Sequence, residues 1–410
     1  MSNINVFDGG VTSAKGFKAC AVEANIKYSG RTDMALVYSE VPAVTAATFT
    51  TNVVKAAPVK WDIKLVKEYE TAQAVVLNSG IANACTGVLG DENNEIMAKS
   101  IAENLGIEKE AVLTASTGVI GMHLPADKVV AGAKKLVEGL ADTREAAHEA
   151  ALAIMTTDTV CKEYAVKVDI DGKEITIGGM CKGSGMIHPN MATMLSVVTT
   201  DANISKEMLQ KMVSEKVNKT FNMISVDRDT STNDSFMVLA NGLAENEKIT
   251  SENEAYKIFA DALEYLMTEL AKIMASDGEG ATRLFETKVL NAASYEDAVY
   301  LAKSVITSNL VKTAIYGADA NWGRIVCAMG YSGVDFDPDK VDLYIESSKG
   351  KLKLFENGMA TDYSEDVAKE ILLEDHVIAI ADMNSGEYNA TAWGCDLTYE
   401  YVKINGDYRS

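Results

Sequence analysis

The sequence predicts an α+β fold of layered sheets flanked by helices, and three observations lead there. Strand-like and helix-like stretches are interleaved in both halves of the chain, the interleaving keeps no strict strand–helix–strand rhythm, and no stretch rich in proline, glycine or serine divides it. A doubly wound parallel sheet would need the regular rhythm that is missing. The 410 residues suffice for one large domain or two ordinary ones. Prolines number only five, and neither an internal repeat nor a low-complexity tract interrupts the pattern.

The elements follow in chain order. Residues 1–90 are dense in β-branched and small side chains, as in Ala46-Ala-Thr-Phe-Thr-Thr-Asn-Val-Val54 and Ala74-Val-Val-Leu-Asn-Ser-Gly80, a composition of strands and turns. Apolar residues then recur every three or four positions over Asn94–Leu105, Asp127–Leu140 and Arg144–Met155, the period of helices with one buried face. Strand composition returns at Glu163–Ile177, with Asp171-Gly172 as a hairpin turn. Met194-Leu-Ser-Val-Val198 reads as a buried strand. Helices are expected near Lys206–Val217, Glu252–Ala275 and Tyr295–Leu310. From Lys340 onward, short strands at Val377–Ala381 and Asp396–Val402 accompany one helix near Glu365–Leu372.

Composition removes several function classes. Hydrophobic residues make up 47% and charged residues 24%, the balance of a soluble globular protein. No apolar run reaches the length of a membrane span, and the start lacks a basic stretch followed by an apolar one. A cytoplasmic location is therefore expected. A formal net charge of −21 repels nucleic acid and anionic membranes alike, though a local basic pocket could still hold a small anion. The six cysteines, Cys20, Cys85, Cys161, Cys181, Cys327 and Cys395, form no CxxC pair and read as buried thiols.

The common catalytic signatures are missing: no GxxxxGK[ST], no GxSxG and no HExxH. Four histidines, His123, His148, His188 and His376, leave little for a histidine-based metal centre or triad, so no metal is expected. His148 falls inside a helical pattern and His188 in a loop, and a structural role is the simpler reading of each. Three segments concentrate hydroxyls and glycines outside ordinary turns: Thr114-Ala-Ser-Thr-Gly-Val-Ile-Gly121, Met155-Thr-Thr-Asp-Thr159, and the loop Lys182–Leu195, KGSGMIHPNMATML. Thr193 lies where that loop enters the apolar run. A hydroxyl is a poor nucleophile without an adjacent base. One base is the threonine's own α-amine, whose pKa of roughly 7.7–8.0 leaves it partly neutral at pH 7. That amine exists only if the Ala192–Thr193 bond has been cut. From the residues alone, a plain glycine-rich turn is the simpler reading.

Taken together these segments carry a family resemblance. The chain resembles the ornithine acetyltransferases (glutamate N-acetyltransferases) of arginine biosynthesis, self-processing proteins with an N-terminal threonine nucleophile. KGSGMIHPNMATML matches the processing motif and is followed by LSVVTTDA. The match continues in STGVIG, MTTDT, the DTSTND of Asp229–Asp234, SDGEGATR at Ser276–Arg283 and GADANWGRI at Gly317–Ile325, covering essentially the full length. One departure stands out: Arg228 occupies a position where the family usually has glycine.

The resemblance implies an αββα-like fold of the DmpA and ornithine acetyltransferase type. It further implies self-cleavage at Ala192–Thr193 into an α chain, 1–192, and a β chain, 193–410, interleaved in one body. Thr193 would then take the acetyl group from N-acetylornithine and pass it to glutamate, with Thr117 and Gly118 as the oxyanion-hole pair. Thr156, Lys182, Thr193, Glu279, Asn405 and Ser410 match the substrate-binding positions. Lys182 suits a substrate carboxylate and Glu279 a substrate ammonium. No cofactor is implied; some family members also accept acetyl-CoA, and no residue decides whether this chain does. Family members assemble as dimers of cleaved heterodimers, a heterotetramer. Two competing readings are an aminopeptidase-like hydrolase with the same nucleophile and a non-catalytic scaffold.

Overall fold

The computed structural model describes residues 4–188 and 194–408. The chain divides into two compact units. The first runs through Gly183, resumes as far as Asn222 and adds Thr230–Leu270; the second collects Ser184–His188, Met223–Asp229 and the chain from Ala271 on. Among the described residues each unit is built on one mixed sheet, of nine strands in the first and six in the second. The α+β architecture with flanked sheets is therefore what the chain adopts.

The nine strands are β1 (Asn5–Phe7), β2 (Phe17–Val22), β3 (Met34–Phe49), β4 (Thr71–Asn78), β5 (Val112–Ser116), β6 (Lys162–Ile170), β7 (Lys173–Lys182), β8 (Leu195–Thr200) and β9 (Ser235–Ala240). They run in the order β1-β6-β7-β8-β9-β3-β4-β5, with β2 also pairing β3. At 16 residues, β3 serves two neighbourhoods. Met34–Val44 pairs with β4 and Val44–Phe49 with β9, with a register shift between Tyr38 and Ala43. Such an irregularity bends a strand and increases its twist. Alternation along the strands separates two cores. Leu36 and Val76 meet Met97 and Ile101 of α2 (Gly87–Leu105) and Val129 and Leu136 of α3 (Ala126–Glu138). Ala35, Val37, Val75 and Leu77 face the other way, onto Ala147, Ala150 and Ala151 of α4 (Arg144–Ala153).

The run after the loop is a strand, as its apolar residues predict. Leu195–Thr200 is buried throughout, antiparallel to β7 and parallel to β9. Asp171 and Gly172 turn β6 into β7 with φ of 54° and 78°, the positive angles a tight hairpin requires. Ser205 caps the helix α5 (Lys206–Val217) by accepting from Met208 N–H. The long helix α6 (Glu254–Ser276) packs Leu266 and Leu270 within 3.2 Å of where a side chain on Gly179 of β7 would begin.

The second unit contains β10 (Leu284–Ala292), β11 (Asp342–Ser347), β12 (Gly350–Glu356), β13 (Met359–Ala360), β14 (His376–Asp382) and β15 (Tyr388–Cys395), ordered β13-β12-β11-β14-β10-β15. Its helices are α7 (Tyr295–Ile306), α8 (Asn309–Tyr316), α9 (Trp322–Gly330), α10 (Glu365–Leu372) and α11 (Tyr399–Gly406). Phe285, Leu301, Val305, Ile345 and Val377 are all buried there.

Four expectations need correction. Of the six cysteines only Cys20, Cys181 and Cys395 are buried; Cys161 is half-buried, and Cys85 and Cys327 are exposed. Residues 1–90 contain the helix α1 (Ala57–Glu68), with Pro58 in its first turn. Tertiary bonds fix it: Trp61 Nε1 donates to the Val112 carbonyl at 3.0 Å, and Thr114 N–H donates to the buried Asp62 carboxylate at 2.9 Å. Tyr295–Leu310 is two helices, because Ser308 caps α8 by accepting from Val311 N–H. Asp396–Val402 is not a strand: Asp396 accepts from Thr282 N–H at 2.8 Å, Thr398 donates to the Gly280 carbonyl at 2.7 Å, and α11 begins at Tyr399. Among the described residues no helix is long and apolar enough to cross a membrane.

Candidate active site

Thr117 and Gly118 follow directly on the buried strand β5. Thr117 N–H donates to the Asn78 carbonyl at the end of β4, and Val119 N–H to the Gly80 carbonyl at 3.1 Å. Between these ties Gly118 sits at φ 127°, with its Cα so close to Gly80 that a Cβ would lie 2.2 Å from the Gly80 carbonyl carbon. Only glycine follows this path. Both residues remain partly exposed. No described residue accepts from the Gly118 N–H or bonds the Thr117 hydroxyl.

The segment that follows α4 is tied to the same place. Ser79, next after β4, donates its hydroxyl to the Ala153 carbonyl at 2.8 Å, and Arg31 donates to the Met155 carbonyl at 2.6 Å. Asn78 and Ser79 thus bring the Thr117-Gly118 turn and the Thr156 segment to one end of β4. Thr156 lies beyond the helix terminus, and its N–H donates to Asp158 Oδ2 at 3.0 Å.

Asp158 links that segment to Lys182. Its side chain is fully buried, with the Lys162 ammonium at 2.7 Å and the Lys182 ammonium at 4.0 Å. Gly183 N–H donates to Asp158 Oδ1 at 2.7 Å. Burial pushes this carboxyl up, but the two ammonium groups and the hydrogen bonds from Lys162 and Thr156 outweigh it and hold it well below the usual carboxylate range. Lys182, 8% exposed, lies beside this carboxylate and is not a solvated surface lysine.

In the second unit the loop residues Ser184–His188 are bonded at nearly every position. Ser184 Oγ donates to the Asp277 carbonyl at 2.6 Å, and Glu279 N–H to the Ser184 carbonyl at 3.0 Å. Met186 and Ile187 N–H groups donate to Asp227 at 2.6 and 2.9 Å, and His188 Nδ1 lies 3.1 Å from Ser225 Oγ. Glu279 is 7% exposed and accepts from Asn405 Nδ2 at 2.7 Å. A Cβ on Gly185 would come within 2.3 Å of the Glu279 carboxyl group. Gly185 of KGSG thus admits a buried carboxylate suited to an ammonium ligand.

The expected residues fall into two groups. Thr117, Gly118, Thr156 and Lys182 belong to the first unit; Glu279 and Asn405 belong to the second. Ala192, Thr193 and Ser410 lie outside the described residues. Met194, next after Thr193, is buried, and its carbonyl accepts from Ser235 N–H at 2.9 Å.

Comparison with known proteins decides the family. The model of the ArgJ family matches residues 18–410. The chain belongs to the ArgJ family. It is 54% identical over 407 residues to the arginine biosynthesis bifunctional protein ArgJ of Caldanaerobacter subterraneus subsp. tengcongensis, covering 99% of this chain and 100% of that one. Its counterpart from Bacillus subtilis is 47% identical, with 98% and 97% covered. A solved ArgJ chain from Bacillus halodurans is 47% identical, with a TM-score of 0.49, and covers 51% of this chain and 97% of its own.

Several residues of the ArgJ motifs gain a role that sequence reasoning had not assigned. Asn233, from DTSTND, donates its amide to the Ala82 and Ser116 carbonyls at 2.6 and 2.8 Å, clamping the approach to Thr117. Asp227, just before that motif, holds the loop N–H groups. Asp158, inside MTTDT, is the hub of the buried lysines. A lone acid two residues from Thr156 was the available signal. GADANWGRI is architectural: Asn321 caps α9 by accepting from Arg324 N–H, Arg324 donates to the Leu310 carbonyl at 2.8 Å, and Trp322 stacks on Phe355 with ring centres 5.2 Å apart.

Proposed function

We propose that this chain is a glutamate N-acetyltransferase of arginine biosynthesis that carries the acetyl group of N2-acetylornithine to glutamate on Thr193. Enzyme class and pathway rest on full-length membership in the ArgJ family and on relatives named as arginine biosynthesis bifunctional proteins. The observation that carries the chemistry is the Thr117-Gly118 turn. A hydroxyl and an N–H, neither bonded to a described residue, stand side by side on backbone that only glycine can follow. Such a pair suits the developing oxyanion of acyl transfer, where losing one donor typically costs about 10²–10³ in rate.

The steps run as follows. Thr193 Oγ attacks the Ala192 carbonyl, the peptide N–C bond breaks as the acyl group moves to oxygen, and water hydrolyses the ester. The chain is left as 1–192 and 193–410. The freed α-amine is the base that activates the Thr193 hydroxyl. Attack on N2-acetylornithine expels ornithine and leaves acetyl-Thr193; the glutamate amine then takes the acetyl group. Lys182 meets a substrate carboxylate and Glu279, with Asn405 holding its carboxylate, a substrate ammonium; Thr156 and Ser410 complete the binding set. No cofactor takes part, acetyl-CoA being at most a second donor. The working form is a cytoplasmic heterotetramer of two cleaved chains.

Purified protein supplied with N2-acetylornithine and glutamate is expected to release ornithine and N-acetylglutamate in equal amounts. Acetate and ornithine alone would make it a hydrolase with the same nucleophile. Replacing the donor by acetyl-CoA separates one-donor from two-donor behaviour.

A further inference from the structure

Away from these residues, three unlike donor atoms meet in the first unit. His148 projects from α4, Cys161 stands immediately before β6, and Glu163 is the second residue of that strand. Nδ1 of His148 lies 2.7 Å from Oε2 of Glu163, and Sγ of Cys161 lies 3.4 Å from the same oxygen. One donor atom from each residue falls within 4.8 Å of the other two. Cys161 and Glu163 are two apart in extended chain and share a side, while Lys162 between them turns away to Asp158.

We infer that His148, Cys161 and Glu163 form a site for a borderline-soft divalent cation of the zinc class, clipping α4 to the start of β6. Imidazole nitrogen, thiolate sulfur and carboxylate oxygen are the donors such a cation takes, and three protein ligands leave a position open. Zinc bond lengths at tetrahedral angles put ligand atoms about 3.3–3.6 Å apart. The sulfur–oxygen edge already has that length. The nitrogen–oxygen edge, now 2.7 Å, must open by about 0.6–0.7 Å, a movement available to an imidazole side chain that is 46% exposed. Glu163 Oε1 is engaged elsewhere: Arg144 Nη1 donates to it at 2.8 Å and fixes the carboxylate as an outer partner does in a metal site.

The charges balance. Asp8, 3.0 Å from Arg144 Nε, offsets the guanidinium, so the Glu163 carboxylate and a Cys161 thiolate remain to neutralise a dication. Cys161 binds as the thiolate, so capture of the cation releases the thiol proton to solvent. The sequence concealed the site because its ligands stand 13 and 15 residues along from His148, at no familiar spacing. The cation takes no step in acetyl transfer; it is structural.

Cobalt(II) added to the chelator-treated full-length protein tests the inference. A thiolate-to-cobalt charge-transfer absorption is expected, saturating at one ion per chain and displaced by zinc. It disappears in Cys161→Ser. In His148→Ala the affinity falls by about tenfold or more. The half-exposed His148 can be removed while the Glu163–Arg144 pair stays, so that variant keeps its fold. Zinc should raise the unfolding temperature of the wild type and not that of His148→Ala. A band that persists in Cys161→Ser belongs to exposed Cys85 or Cys327 and overturns the assignment. Absence of any band, or unchanged affinity in His148→Ala, overturns it equally.

Discussion

At φ 71° Arg228 occupies left-handed backbone, which costs an L-residue other than glycine roughly 1–2 kcal/mol. Glycine, which the family resemblance leads one to expect there, would relieve it. The strain persists because the neighbouring Asp227 is over-determined, accepting from the N–H groups of Met186, Ile187 and Asp229. Arg228→Gly is expected to raise the urea midpoint, by about 0.5–1 kcal/mol in stability. His188 is a second local case. Burial, with Lys303 and Arg228 facing it, lowers its pKa to about 4. The unfolded chain, with histidine near 6.5, then binds more protons than the folded one between those values. This contribution is complete above about pH 6.5 and is lost as pH falls toward 4. Stability measured across that window should decline, and His188→Gln should flatten the decline.

Two elements carry the proposed site, the turn after β5 and the junction of β6 with the end of β7. At the turn, Gly118→Ala places a Cβ 2.2 Å from the Gly80 carbonyl carbon. The N–H must move, and acetyl-transfer turnover is expected to fall about 10²–10³-fold. At the junction, Asp158→Asn leaves Lys162 and Lys182 buried without their countercharge. The expected loss is about 3–5 kcal/mol of unfolding free energy, read by denaturation. Legibility divides along the same elements. Helices with a clean apolar period, such as α4 and α5, could be read because each buries one face of its own. α1 could not, since Trp61 and Asp62 are held by partners from β5, distant in sequence. The Thr117-Gly118 pair and Lys182 were legible through motif resemblance. The burial of Lys182 beside Asp158 was not, because it depends on how distant segments pack.

Across the whole chain, the proposed cleavage point and the division of the fold do not coincide. Strands β8 and β9, which follow Ala192–Thr193, lie between β7 and β3, which precede it. Separating the two products would break the β7–β8 and β9–β3 ladders, so 1–192 and 193–410 should copurify under native conditions and part only on denaturation. No interleaving of this kind is visible in a linear pattern, since it depends on strand order. The proposed mechanism requires Thr193 to become an N-terminus and to carry the acetyl group. Intact-mass measurement of the denatured protein, before and after brief exposure to N2-acetylornithine, tests it most directly. Two polypeptides are expected in the wild type, the second beginning at Thr193 and gaining one acetyl group, against a single 44.0 kDa chain in Thr193→Ala. A wild type that stays whole at 44.0 kDa, or a cleaved one that takes its acetyl group on another residue, would contradict it.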